Sequence, residues 1–289
     1  MPVLESGFVR AGGLSLHQTR GGRGDPPVLF IHGLGSSGYI EWRFTLPVFA
    51  RSRRVLAPDL PGFGRSEKPR LPYGLRLFER TIYDYVRTVA EGPADVVGTS
   101  MGGRIAIDFA LTHPRLVRRL VLVNSLGLGP PRPGPFYPLV AVPRVGEAVL
   151  RGLRGALGGL PPALIRKAAG RSRGMSVDPE RALGAGYLAD LREMHAAEGY
   201  HEAYLATVRS LARPDTFSAT DLTAHLAEVG VPLLLVWGAD DPLFPIATAR
   251  RAHRLLPNSG LAVIKGAGHT PQVERPDEFN QVVARFLDA

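Results

Sequence analysis

The chain has 289 residues, 45% hydrophobic and 21% charged, which excludes a short peptide module and wholesale disorder. It contains no cysteine, so disulfides, thiolate nucleophiles, iron–sulfur clusters and cysteine zinc sites are excluded. The formal net charge of +9 comes from 32 Arg and 3 Lys scattered along the chain without a long basic block, which reads as a solvated surface and argues against a nucleic-acid binder.

The length suits one large α/β domain carrying an insertion better than two equal domains. The start, Met1-Pro2-Val3-Leu4-Glu5-Ser6-Gly7, has no basic flank and no apolar leader. No apolar run reaches membrane-spanning length. A soluble cytoplasmic protein is the expectation. In chain order, residues 3–9 and 14–19 predict an antiparallel hairpin at a sheet edge. Residues 27–31 are a buried strand ending at His32-Gly33, and residues 54–57 are a second ending at Pro58-Asp59. Helical spacing runs from Leu77 to Glu91. A third strand covers 94–97, a helix 101–112 and a fourth strand 120–123. Two more strands follow at 231–237 and 261–264, and a closing helix at 277–287. Continuous apolar strands alternating with helices predict a mostly parallel, doubly wound α/β sheet covered on both faces.

The alternation stops between residues 126 and 221. That stretch holds no strand pattern and predicts a helical cap inserted into a core made of residues 1–125 and 222–289. Its first half, 126–177, has eight Arg or Lys and one acid, whereas 178–221 has four Arg and eight acids. Val145, Val149, Leu153 and Leu157 recur every four residues and predict an apolar helix stripe, with Arg144, Arg151 and Arg154 elsewhere. The bland reading is a cap helix lying on the core. The sharper one is a lid whose basic face makes weak contact with an anionic surface, without stable membrane insertion. Phe136, Tyr137, Leu139 and Val140 are candidates for pocket wall.

Gly98-Thr99-Ser100-Met101-Gly102 fits G-x-S-x-G between an apolar strand and a helix. The glycines permit a sharp turn that lifts the Ser100 hydroxyl out of the sheet. Serine needs a base, and the base needs an orienting acid. His269, in Gly268-His269-Thr270-Pro271 after the last strand, is the candidate base. His17, His113, His195, His201, His225 and His253 lie in an edge strand or helical patterns and read as structural or surface residues. Asp240 and Asp241, after the strand ending at Trp237-Gly238, compete for the acid. One is expected to serve His269 and the other to cap the following helix. The N–H groups of Leu34, in His32-Gly33-Leu34-Gly35, and of Met101 are the candidate oxyanion pair. Asp59, in Asp59-Leu60-Pro61-Gly62-Phe63-Gly64-Arg65-Ser66, reads as a local hydrogen-bond partner.

Taken together, these segments resemble the α/β-hydrolase fold superfamily, in the family's order and over nearly the whole chain. The resemblance selects Asp241 over Asp240, the aspartate four residues before Pro245, and implies Ser100 as nucleophile and His269 as base. It implies no cofactor and no metal. Ser100 stands where haloalkane dehalogenases and epoxide hydrolases of this fold carry aspartate. The expected activity is therefore a serine hydrolase cleaving small to medium apolar carboxylic esters through an acyl-enzyme. The alternative is a carbon–carbon bond hydrolase of the meta-cleavage-product kind, or a lactonase, with the same triad. Carbon–carbon bond hydrolases usually carry tryptophan after the histidine, where this chain has Thr270. A non-catalytic receptor of this fold is expected to lack a triad member, and all three are present. The expected partner is a small-molecule ester.

Overall fold

The computed structural model describes residues 3–132, 136–161, 163–165, 176–178, 185–213 and 221–289. Eight strands form one sheet: β1 (Leu4–Ala11), β2 (Leu14–Gly21), β3 (Val28–Ile31), β4 (Val55–Pro58), β5 (Ala94–Thr99), β6 (Val117–Val123), β7 (Leu233–Gly238) and β8 (Ser259–Ile264). Their spatial order is β1-β2-β4-β3-β5-β6-β7-β8. The hairpin β1–β2 joins antiparallel at β4, and all other pairings are parallel.

Alternation along each strand sends side chains to two separate cores. Val28, Phe30, Val121, Val123 and Val236 pack on one face with Trp42, Phe49 and Phe279. Leu29, Ile31, Leu120, Leu122 and Leu235 pack on the other with Phe78, Ile105 and Phe109. Both faces are covered, so β3, β4 and β5 are buried at every residue. That is why they read as unbroken apolar runs and not as alternating ones.

The helices of the core are α1 (Gly38–Trp42), α2 (Leu46–Phe49), α3 (Leu75–Tyr85) and α4 (Met101–Thr112). Between β6 and β7 the described elements are α5 (Phe136–Ala141), α6 (Val145–Gly159), α7 (Ala185–Ala196), α8 (Tyr200–Leu211) and α9 (Thr223–Val229). Among the described residues there, an isolated bridge pairs Leu128 with Asp221 and brings the two ends of the insertion together. The core closes with α10 (Ile246–Leu255), α11 (Pro271–Glu274) and α12 (Pro276–Asp288). Among the described residues no helix is long and apolar enough to cross a membrane.

The apolar stripe expected on α6 is corrected by the structure. Val145 and Leu153 are among the exposed apolar side chains, and the inward face is Gly146, Leu150 and Leu157 with Val149 beside them. A strict four-residue spacing overruns the helical turn, so the predicted stripe winds away from the buried face. Val140 is buried with Leu150, Leu205 and Val208 in a core internal to the cap, and Leu139 faces outward. The side chains of Phe136 and Tyr137 lie outside the described residues.

The segment between β6 and β7 packs against the loops after β3 and β4 through α8. Tyr204 and the Tyr200 hydroxyl pack against Gly35, whose φ is +74°, and a side chain there would meet Tyr204 at 2.9 Å. Tyr200 also meets Phe63 edge-on. Behind it, His195 Nδ1 and His201 Nε2 stand 3.1 Å apart. Burial, with the charge of His201 beside it, lowers the His195 pKa to about 4. His195 is thus neutral in the fold but protonates near its ordinary value once released. Stability is predicted to fall as pH drops below about 6.5 and to level off near 4, a loss of up to about 3 kcal/mol. Thermal melting between pH 7 and 4.5 checks this, and His195→Gln should flatten the dependence.

Candidate active site

The site residues all stand just beyond the carboxyl ends of parallel strands, where open α/β sheets leave a crevice. Ser100 follows β5 directly and starts α4. Its backbone is forced to φ +53°, ψ −119°, outside the usual region for a side-chain-bearing residue. Close packing imposes this. A Cβ on Gly98 would strike the Gly102 carbonyl, and one on Gly102 would strike the carbonyls of Ile31 and His32. A Cβ on Gly103 would strike the Ser125 side chain. The strand, turn and helix can approach this closely only with glycine at those positions. The Ser100 side chain makes no capping bond to its helix, so its hydroxyl is not committed to the backbone. The ladder continues past the strand ends through Ser100 N–H to the Val123 carbonyl, 3.0 Å.

His269 and Asp241 meet. His269 Nδ1 lies 2.9 Å from Asp241 Oδ2, and both side chains are buried. An ionised carboxylate only accepts, so the ring proton sits on Nδ1 and leaves Nε2 as the free base. The same Oδ2 accepts from Asn124 Nδ2, and Oδ1 accepts from the amides of Leu243 at 2.8 Å and Phe244 at 3.1 Å. Burial pushes the Asp241 pKa up, but His269, Asn124 and the Leu243 amide outweigh it and hold it below the usual carboxylate value. Trp237 fixes this loop by donating its indole N–H to the Phe244 carbonyl, 2.7 Å.

Asp240 is exposed and caps no helix, which corrects the expectation that the two aspartates divide the work. Pro245 begins α10 without a side-chain cap. Asp241 takes both tasks: one oxygen faces His269 while the other collects the turn amides. Asp240 contributes only its backbone N–H, to the Ala267 carbonyl at 3.0 Å. That bond draws the β7 loop against the His269 loop, where a Cβ on Gly238 would collide with the Gly268 carbonyl.

Leu34 follows β3, and its side chain packs against the cap core of Val140, Leu150 and Leu205. Met101 is the first residue of α4, where the backbone N–H has no partner within the helix. The loop that carries Leu34 is pinned by His32. The Leu60 N–H donates to His32 Nε2 at 2.9 Å, which places the ring proton on Nδ1, 2.8 Å from the Gly33 carbonyl. Burial lowers the His32 pKa, so this histidine is a neutral strut between two loops. Asp59 does the same for its own loop, accepting from the Gly38 amide at 2.7 Å, the Arg65 amide at 2.9 Å and His17 Nδ1 at 3.0 Å.

Three residues of the site belong to no sequence motif. Asn124 is one; the available signal is a polar residue directly after the apolar run of β6. Its Oδ1 accepts from the Gly238 amide at 3.0 Å, so it ties β6 to β7 while holding Asp241. Glu274 is the second. Its buried carboxylate accepts from the amides of Gly268 at 3.1 Å and Thr270 at 3.2 Å, and so shapes the His269 loop. It also accepts from the Val177 amide of the insertion at 2.7 Å. Glu41 is the third, a buried side chain beside Gly33. Among the described residues no group of three His, Asp or Glu side chains has the arrangement to hold a metal ion.

Comparison with known proteins gives the family. The α/β hydrolase fold family profile matches residues 26–276, and the chain belongs to that family. It is 29% identical over 284 residues to a 2-hydroxy-6-oxo-6-(2'-aminophenyl)hexa-2,4-dienoic acid hydrolase of Metapseudomonas resinovorans, covering 97% of this chain and 90% of that protein. It is 31% identical over 283 residues to a 2-hydroxy-6-oxononadienedioate/2-hydroxy-6-oxononatrienedioate hydrolase of Dechloromonas aromatica, covering 95% and 91%. The crystal structure of 2-hydroxy-6-oxo-6-phenylhexa-2,4-dienoate hydrolase from Rhodococcus sp. strain RHA1 superposes with a TM-score of 0.80 over 100% of both chains, at 22% identity.

Removing the Asn124 amide leaves a buried carboxylate short of one donor. Asn124→Ala is expected to lower kcat about 10- to 100-fold with little change in KM. Asn124→Asp should be worse, because it places a second anion against Asp241. Steady-state kinetics on any hydrolysed substrate checks both, with circular dichroism to confirm folding.

Proposed function

We propose that this hydrolase cleaves the carbon–carbon bond beside a ketone in a ring-fission dienoate, using Ser100, His269 and Asp241. What carries the reading is the buried His269–Asp241 pair at the sheet end that bears the Ser100 turn, in a chain aligned nearly end to end with hydrolases named for such substrates. Their names describe a 6-oxo carbonyl separated by a diene from a 2-hydroxy acid. That chemistry makes a carbon leaving group possible. Once the 2-hydroxy group is in its keto form, the departing carbanion is delocalised onto it.

In the proposed sequence His269 Nε2 takes the Ser100 proton as Oγ attacks the ketone carbon. The oxyanion is held by the N–H groups of Leu34 and Met101, each such donor being worth about 3–4 kcal/mol. The carbon–carbon bond breaks, its electron pair passes through the chain onto the C2 oxygen, and that dienolate oxygen takes up the proton His269 had accepted from Ser100, giving the dienol. Asp241 fixes the ring and stabilises its cationic form throughout. A water, deprotonated by His269, then hydrolyses the acyl-enzyme. One water is consumed, and the products are a carboxylic acid and a protonated dienol acid. Asp241→Asn is expected to lower kcat by about 10⁴-fold through the wrong histidine tautomer.

The second reading is ester hydrolysis by the same machinery. It rests on Thr270, which follows His269 where the carbon–carbon hydrolases usually carry tryptophan. Thr270 is turned toward Glu274, with Oγ1 3.1 Å from its carboxylate, and the ring packed against His269 is that of Phe244, at 5.6 Å between centroids. Turnover of a 6-phenyl-6-oxo dienoate, followed by loss of its dienolate absorbance, is compared with turnover of p-nitrophenyl esters of rising chain length. The proposal expects kcat/KM for the dienoate to exceed that for every ester, and Ser100→Ala to abolish it. A higher value for an ester, with no dienoate cleavage, moves the assignment to the second reading.

A further inference from the structure

Glu41 is a buried carboxylate that the reaction above does not use. It lies on α1, and α1 packs against α11 of the His269 loop. Its Oε1 accepts from Gln272 Nε2 at 2.7 Å. Among the described residues its Oε2 has only the Gly33 amide, at 3.4 Å, a distance at which a hydrogen bond is weak. No Lys, Arg or His among the described residues stands within ion-pair distance of it. Arg43 acts on it only at longer range, with its guanidinium over the rings of Phe44 at 4.7 Å and Tyr187 at 5.1 Å.

The position is close to the reacting serine. The side of Gly33 on which a Cβ would stand faces Ser100 Cβ at 3.3 Å and Glu41 Oε2 at 3.7 Å. Glu41 and Ser100 therefore flank the same point of the loop that carries Leu34. Beside Glu41, Gln272 is also buried, and its Oε1 has no hydrogen-bond donor. The amide is oriented by Glu41, since the reverse orientation would set two acceptors against each other. Glu41 and Gln272 thus carry two buried oxygen acceptors, one weakly engaged and one unengaged. Buried acceptors of this kind are normally satisfied, and one anion among them repels another.

We infer that Glu41 determines specificity: with Gln272 it forms a polar subsite beside the Ser100 carbonyl position that takes a hydroxyl or ammonium group of the substrate and rejects a carboxylate there. The inference rests on the reading of Ser100 as the reacting residue but not on which bond is cleaved. Within the proposed reaction it assigns the substrate's carboxylate to a place away from this subsite and a donor group to it.

The test needs no turnover. Three amides of equal chain length, ending in methyl, ammonium or carboxylate, are titrated into the intact protein by calorimetry, then into Glu41→Gln. A charge-assisted hydrogen bond predicts that the ammonium ligand binds about 10- to 100-fold tighter than the carboxylate ligand in the native chain. In Glu41→Gln the two should come within about threefold of each other. Equal affinities in the native chain, no binding of any of the three, or an unchanged ratio in Glu41→Gln overturns the inference. In that case Glu41 only braces the Gly33 loop. The native-chain comparison decides even if Glu41→Gln does not fold. A protein that cleaves dienoates yet shows no preference loses the subsite alone, and one that shows the preference without cleaving them loses only the proposed reaction.

Discussion

Burial of the Asp241 carboxylate dictates where its neighbours stand. An anion taken out of water must be surrounded by donors, or its charge is lost to protonation. The donors come from separate pieces of chain: His269 beyond β8, Asn124 beyond β6, and the Leu243 and Phe244 amides of its own turn. Because three neighbouring parallel strands end side by side, these groups converge without any long loop. The same bonds fix the histidine tautomer, so the arrangement that makes the charge tolerable also leaves Nε2 without the ring proton, as the proposed base requires.

A second constraint is closeness of backbone. Gly98, Gly102 and Gly103 let the Ser100 turn sit on the end of β3, and Gly238 lets the Asp241 loop sit on the His269 loop. Neutral His32 then holds the loop of Leu34 to that of Leu60. The cap reaches this framework where Leu34 enters its apolar core and where Tyr200 and Tyr204 cover Gly35. Cap position and the loop beside the serine are therefore mechanically joined.

Much of this was legible in the sequence because its causes are local. Strands buried on both faces leave unbroken apolar runs, and the Ser100 turn leaves glycines at fixed spacing. His269 was readable from its place after the last strand. Asn124, Glu274 and Glu41 were not, because their partners lie far along the chain and a single polar residue carries no periodicity. The roles of Asp240 and Asp241 were separable only by resemblance, since burial distinguishes them and adjacent residues share every local signal. The α6 face was misread for a similar reason: the sequence supplies a spacing, but the surface it packs on selects the angle.

Every step of the proposed reaction depends on Ser100 being the reacting residue. The most direct measurement is mass spectrometry of the protein after exposure to an alkyl fluorophosphonate, which reacts with an activated serine hydroxyl. The expected result is one phosphonyl group per chain, located on the peptide containing Ser100 and absent after prior unfolding. An unlabelled protein, or a label carried by another residue, would contradict the mechanism at its first step.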